Sequence, residues 1–185
     1  MTDLTPLTAL GAETARNETF GSLSVTENTD LALASLTLRK GQDAPAPFGL
    51  TLPQAGGVVS GDGVSAFWSA PDQWMIEAPG QGATDFAAQV KSQAPGCSVT
   101  EQTDGFTEFE ITSQAGAAPI EALMEKLVNI DPAALPPGSA TRTGLHHMTV
   151  FLVRRTEDRL AVVGMRSLAL SLWHALSTAA HRLGG

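Results

Sequence analysis

The chain has 185 residues, a net charge of −8 and a mean hydropathy of +0.04, enough length for one domain or two small subdomains sharing a core. Its acidic balance opposes a phosphate backbone, which argues against nucleic-acid partners. The one cysteine, Cys97, allows no intrachain disulfide, no run reaches the ~18–20 apolar residues of a bilayer span, and no basic-then-apolar leader is visible; a cytoplasmic protein that does not engage membranes is expected.

Met1 to Thr19 shows no sustained period and reads as an N-terminal arm, residues 1–20, ahead of a single unit over 21–185. "SLSVTEN" and "LALASLTLR" (Leu31 to Arg39) read as strands joined at the turn-forming Asn28-Thr29-Asp30. Prolines 45, 47 and 53 make "KGQDAPAPFGLTLPQAGG" a surface excursion over 41–57. "GDGVSA", from Gly61, fits the dinucleotide pattern G-x-G-x-x-A, but that pattern works only where a helix begins at the glycines. Pro71 stands where such a helix would continue, so a hairpin turn is the better reading. "FWSAPDQWMIEAPG" then sets Trp68 and Trp74 around a Pro71-Asp72 turn, with "QWMIE" entering a sheet. Paired tryptophans can wall a ligand or hold a core, and core is the simpler reading.

Thr84 is placed to cap a short helix ending near Gln93, before Pro95-Gly96. "CSVTEQ" and "GFTEFEIT" read as strands around a hairpin loop at Asp104-Gly105. The clearest helix follows: Pro119 suits its first turn, and Ile120, Leu123, Met124, Leu127 and Val128 make one stripe, up to a stop at Asp131-Pro132. "LHHMTVFLVRR" and "RLAVVGM" pair around Thr156-Glu157-Asp158. Ser167 caps a last helix with Ala169, Leu172, Trp173, Leu176, Ala180 and Leu183 on one face. The irregular alternation with hairpin-like turns predicts an α+β fold with largely antiparallel sheets and packed helices.

Chemistry-bearing residues are sparse. On a strand, His146 and His147 point to opposite faces, and His174 and His181 lie two helical turns apart, so none of them is expected to hold a metal or a flavin. Glu108 and Glu110 share a strand face, which a solvated sheet explains. Arg154, Arg155 and Arg159 read as a hairpin tip. Cys97 has no basic sequence neighbour and reads as a buried or half-buried small residue. No catalytic, cofactor-binding or metal-binding residue is expected on this chain.

The order of these segments adds a resemblance. "WSAPDQWMI" resembles the W-x-G-P-D-E-W-L-L stretch of the gamma subunits of heterotetrameric sarcosine oxidases, members of the folate-binding aminomethyltransferase superfamily. "VTEQTDGFTEFEI", "APIEALMEKLVNIDPAALPPG", "TGLHHMTVFLVRR" and "RLAVVGMRSLALSLWHAL" continue it in order, from about Ala66 onward. Ala70 replaces a glycine of the family stretch, and Ala118-Pro119 stands for its usual Gly-Pro. The resemblance implies a fold like the first part of the glycine-cleavage aminomethyltransferase. It also implies alpha, beta and delta subunits as partners, and FAD, FMN and NAD carried elsewhere in a complex that uses tetrahydrofolate. The gamma chain itself is implied to be non-catalytic, supporting assembly or stability while the complex demethylates sarcosine to glycine. A free-standing folate-binding or one-carbon-transfer protein, or a subunit of an oxidase for another N-methyl amine, remain as alternatives.

Overall fold

The computed structural model describes residues 6–184. Among the described residues eleven strands form two antiparallel sheets. In chain order they are β1 (Asn17–Phe20), β2 (Leu23–Asn28), β3 (Leu31–Thr37), β4 (Val58–Gly61), β5 (Val64–Ala70), β6 (Gln73–Pro79), β7 (Ser98–Glu101), β8 (Phe106–Ser113), β9 (Ser139–Leu145), β10 (Met148–Thr156) and β11 (Arg159–Met165). The first sheet runs β1-β2-β8-β11-β10-β9 and the second β4-β5-β6-β3-β7. Three helices complete the fold: α1 (Phe86–Gln93), α2 (Ala117–Leu127) and α3 (Ala169–Gly184). The expected α+β class with antiparallel sheets and packed helices is what forms.

Residue parity explains the layering, because successive side chains on a strand point to opposite faces. In β10 and β11, Val150, Leu152, Leu160 and Val162 join the core beneath α2 and α3, with Leu123, Met124, Leu172 and Trp173. Their alternates Phe151, Val153, Ala161 and Val163 meet Leu33, Phe67 and Met75 of the second sheet. The even-numbered Ala32, Ala34, Leu36, Trp74, Ile76 and Ala78 face Phe86 and Val90 of α1. Three apolar layers thus stack between helices, first sheet, second sheet and α1. Phe67 and Phe151 bridge the sheets with ring centroids 5.4 Å apart. Gly164 lets α3 sit down on β11, since a Cβ there would lie 2.8 Å from Leu172 Cδ2.

Several local expectations are corrected. The Asn28–Asp30 turn and the Asp104–Gly105 turn close no hairpin: β2 and β8 belong to the first sheet, β3 and β7 to the second. Both turns carry the chain between layers. Residues 6–20 of the arm are not loose, because β1 pairs with β2 and the amides of Leu10 and Arg16 bond the buried Glu27 carboxylate at 3.0 and 3.2 Å; residues 1–5 lie outside the described residues. The 41–57 excursion packs too, with Leu50 and Leu52 buried and Phe48 stacked on Phe86. Asp85 rather than Thr84 caps α1, accepting from Ala88 N at 3.0 Å. α2 ends at Leu127, four residues before Asp131, which instead caps a 3-10 turn at Pro132–Ala134. Ser167 lies inside a 3-10 turn (Arg166–Leu168) and provides no cap to α3. β9 is too polar for its sequence to mark it as a strand, and its pairing with β10 is what makes it one.

Candidate functional site

The tryptophan segment forms a hairpin in which Trp68 and Trp74 stand directly opposite each other on β5 and β6. Asp72 supplies the turn, at φ 57°. Even parity turns both rings toward the α1 core, and Trp74 Nε1 donates to the Pro53 carbonyl at 2.8 Å. The pair therefore holds core and pins the proline-rich excursion. "GDGVSA" closes the β4–β5 hairpin through Asp62-Gly63, both at positive φ, the geometry of a tight two-residue turn. No helix begins there, so these residues do not fit a dinucleotide pyrophosphate.

The charged cluster of the molecule lies between the sheets, where sequence reasoning places a solvated face. Odd residues of β6 and β10 and even residues of β8 point into that layer, which brings Glu77, Arg155 and Glu108 together. Arg155 donates through Nη1 to Glu77 Oε1 of the other sheet and through Nη2 to Glu108 Oε2 at 2.7 Å. Asn28 Nδ2 donates to Glu108 Oε1 at 3.0 Å, and Ser65 Oγ to Glu77 Oε1 at 2.6 Å. Glu77 Oε2 is buried without a hydrogen-bond partner among the described residues. The Glu77 and Glu108 side chains are 1% and 0% exposed, so two carboxylates share one guanidinium away from water.

Burial, then the neighbouring Glu77 carboxylate, pushes Glu108 up to about 7 against the pull of Arg155. Burial disfavours the charge on Arg155, but Glu77 and Glu108 together hold its pKa above the ordinary arginine value. A carboxyl near 7 suits general acid–base work. Here both Glu108 oxygens already accept hydrogen bonds, and the cluster's partners lie in opposite sheets. Its chemistry is that of a polar clasp between layers. Glu110 and Arg159 pair at the cluster's outer rim, at 2.5 Å, and with Glu108 and Arg155 they line a shallow cavity of about 410 Å³ beside the β4–β5 turn.

Arg154, expected at a hairpin tip, is instead buried on the helix-facing side. Its Nη2 donates to the Glu157 carbonyl, its Nη1 lies 3.8 Å from Met124 Sδ, and burial lowers its pKa. Of the three arginines, Arg159 alone stands at the tip. Cys97 is buried, as expected, and burial raises its thiol pKa. Lys91 approaches it, donating to the Cys97 carbonyl at 2.6 Å, a neighbour that sequence spacing hides.

His146 and His147 are not strand residues. They are the two-residue turn between β9 and β10, at φ 44° and 69°, closed by the Leu145–Met148 pair. The turn carries both rings to the flank of α3, where they line a groove of about 630 Å³ with His174, Lys126 and Arg182. His181 instead meets Phe20 edge-on. Among the described residues no cluster of three or more His, Cys, Asp or Glu could hold a metal, and no helix is long and apolar enough to cross a membrane.

The chain is a two-sheet α+β unit with helices on both outer faces and a buried ion cluster joining the layers, and the comparisons with known proteins give that architecture its class. A protein-family model for the sarcosine oxidase gamma subunit family matches residues 41–182, and the chain belongs to that family. Among solved structures it is similar to a chain of the heterotetrameric sarcosine oxidase from Corynebacterium sp. U-96 in complex with pyrrole 2-carboxylate. The TM-score is 0.71 at 19% identity, over 88% of this chain and 86% of that one. It is also similar to the glycine cleavage system aminomethyltransferase T from Bartonella henselae, with a TM-score of 0.62 at 14% identity. That match covers 89% of this chain and 50% of the transferase. No curated protein sequence matches it.

Proposed function

We propose that this chain is the non-catalytic gamma subunit of a heterotetrameric sarcosine oxidase, acting in assembly or stability of a complex that demethylates sarcosine to glycine in the cytoplasm. Its partners are then the alpha, beta and delta subunits. FAD, FMN and NAD, and the use of tetrahydrofolate, belong to those chains. The observation that carries the reading is the family match over 41–182. The fate of the ionisable residues supports it: Glu77, Glu108 and Arg155 are engaged with one another across the sheet interface, and the glycine motif is a hairpin turn.

Co-expression with the alpha, beta and delta genes tests it. The chain copurifies with the other subunits, and the complex lacking it assembles in lower yield or loses activity faster on warming. The isolated chain is colourless and leaves sarcosine unoxidised. A stoichiometric flavin spectrum in the single chain would refute the reading, as would a complex equally abundant and durable without it.

A further inference from the structure

The groove between the His146–His147 turn and α3 takes no part in the sheet clasp. Its basic side chains are Lys126, Arg182 and the imidazoles of His146, His147 and His174, with no carboxylate among the described residues that line it, on a chain whose net charge is −8. It gathers three of the four histidines. The floor between these bases is apolar, formed by Met148, Ala175 and Ala179, and Leu168 opens it outward. Beyond Leu168 the apolar surface continues. Leu168 and Leu170 are 36% and 68% exposed, two of the four large hydrophobic side chains left in solvent among the described residues, whereas Met165, at odd parity on β11, lies on the sheet face away from α3.

We infer that this groove and the adjoining Leu168–Leu170 segment at the start of α3 form the docking surface for an acidic, amphipathic segment of another subunit of the complex. The inference rests on the gamma-subunit reading for the identity of its partner. Charge complementarity selects the occupant: the Lys126 and Arg182 cations, with no carboxylate beside them among the described lining residues, attract carboxylates and repel a basic chain. The apolar floor and the exposed leucines need covering by apolar side chains, since exposed patches of this kind mark interaction sites. Extension to Leu170, outside the groove, asks for a peptide-sized occupant, larger than a small acid filling the groove alone. A second copy of this chain fits poorly, because a two-fold contact through this patch sets the basic rim against itself.

The test uses the co-expressed complex and measures the affinity of purified gamma variants for the complex lacking gamma. Lys126→Glu/Arg182→Glu and, separately, Leu170→Asp each alter exposed side chains, so the fold persists, as melting curves check. Each is expected to weaken binding by at least about tenfold, with the charge-reversal loss shrinking as salt rises. Lys126→Gln/Arg182→Gln gives a smaller loss in the same direction. Arg39→Glu/Lys40→Glu, a matched reversal in the exposed turn after β3, changes affinity by less than about twofold. Unchanged affinity in both groove variants overturns the inference while leaving the gamma-subunit reading intact. So does self-association of the wild-type chain that the groove variants abolish. Failure of wild-type gamma to bind the other subunits at all removes the gamma-subunit reading and the inference with it.

Discussion

Replacing Glu108 by glutamine isolates the cost of holding a second carboxylate beside Arg155. The carboxyl rises from an ordinary 4.5 to about 7 in the fold, chiefly through burial and then through Glu77. Because the folded pKa lies above the unfolded one, the native state binds more protons than the unfolded state between about pH 4.5 and 7. Stability from this group is therefore fully present below pH 4.5 and is lost as pH rises through 7. At 1.36 kcal/mol per pH unit the loss approaches ~3 kcal/mol. The substituted amide has no proton equilibrium, keeps a carbonyl oxygen for Asn28, and leaves Arg155 paired one-to-one with Glu77. Urea unfolding at pH 4 and pH 8 should show Glu108→Gln gaining on the wild type by ~3 kcal/mol between the two. Parallel profiles, or a wild type that gains on the variant as pH rises, would mean that Arg155 outweighs burial and would refute the argument.

Leu127→Ala, on the buried stripe of α2, should lower unfolding free energy by ~2–5 kcal/mol in denaturant titration. Trp74→Phe keeps most of the ring and removes the donor to Pro53. About 1 kcal/mol should be lost, with faster proteolysis within residues 41–57. Deleting residues 1–19 strips most of β1 and leaves the buried Glu27 carboxylate without its two amide donors. The melting temperature should fall clearly, where a loose arm would leave it unchanged. It also removes Arg16 from the Trp173 ring, so the intrinsic fluorescence of the truncated chain should change.

Where local pattern decides structure, the sequence is readable. The stripes of α2 and α3, the Asp62-Gly63 turn and the pairing of β10 with β11 follow from spacing alone. Which sheet a strand joins does not, because Asn28–Asp30 and Asp104–Gly105 look like hairpin turns whether the chain doubles back or crosses a layer. The Glu108 error has the same root. Alternation in β8 correctly sets Phe109 and Ile111 against the helices, and it correctly sets Glu108 on the other face. What covers that face is β6 with Glu77, 31 positions away and in the other sheet. One signal is present: β10 is apolar at both parities from Val150 to Val153, as a strand covered on both sides must be. On that ground Arg154 and Arg155 become interior residues in need of partners. The histidine groove leaves no such trace, since turn residues, a helix flank and Lys126 meet only after the sheet is built.

The second sheet is continuous in sequence, from Leu31 to Glu101, and is inserted between β2 and β8, which are neighbours in the first sheet. Synthesis therefore completes the strands of the inserted sheet while β2 still waits for a partner 80 residues downstream, as the Asn28–Glu108 contact shows. Such long-range pairing is slow, and unpaired surface left open meanwhile invites association with other chains. The face of the inserted sheet exposed during that wait carries Leu33, Phe67 and Met75. In its midst stands Glu77, whose partner Arg155 lies on the later strand β10. A charged residue within an apolar strand run opposes edge-to-edge association, and Glu77 holds that position on a sheet whose counter-charge, Arg155, comes only with β10.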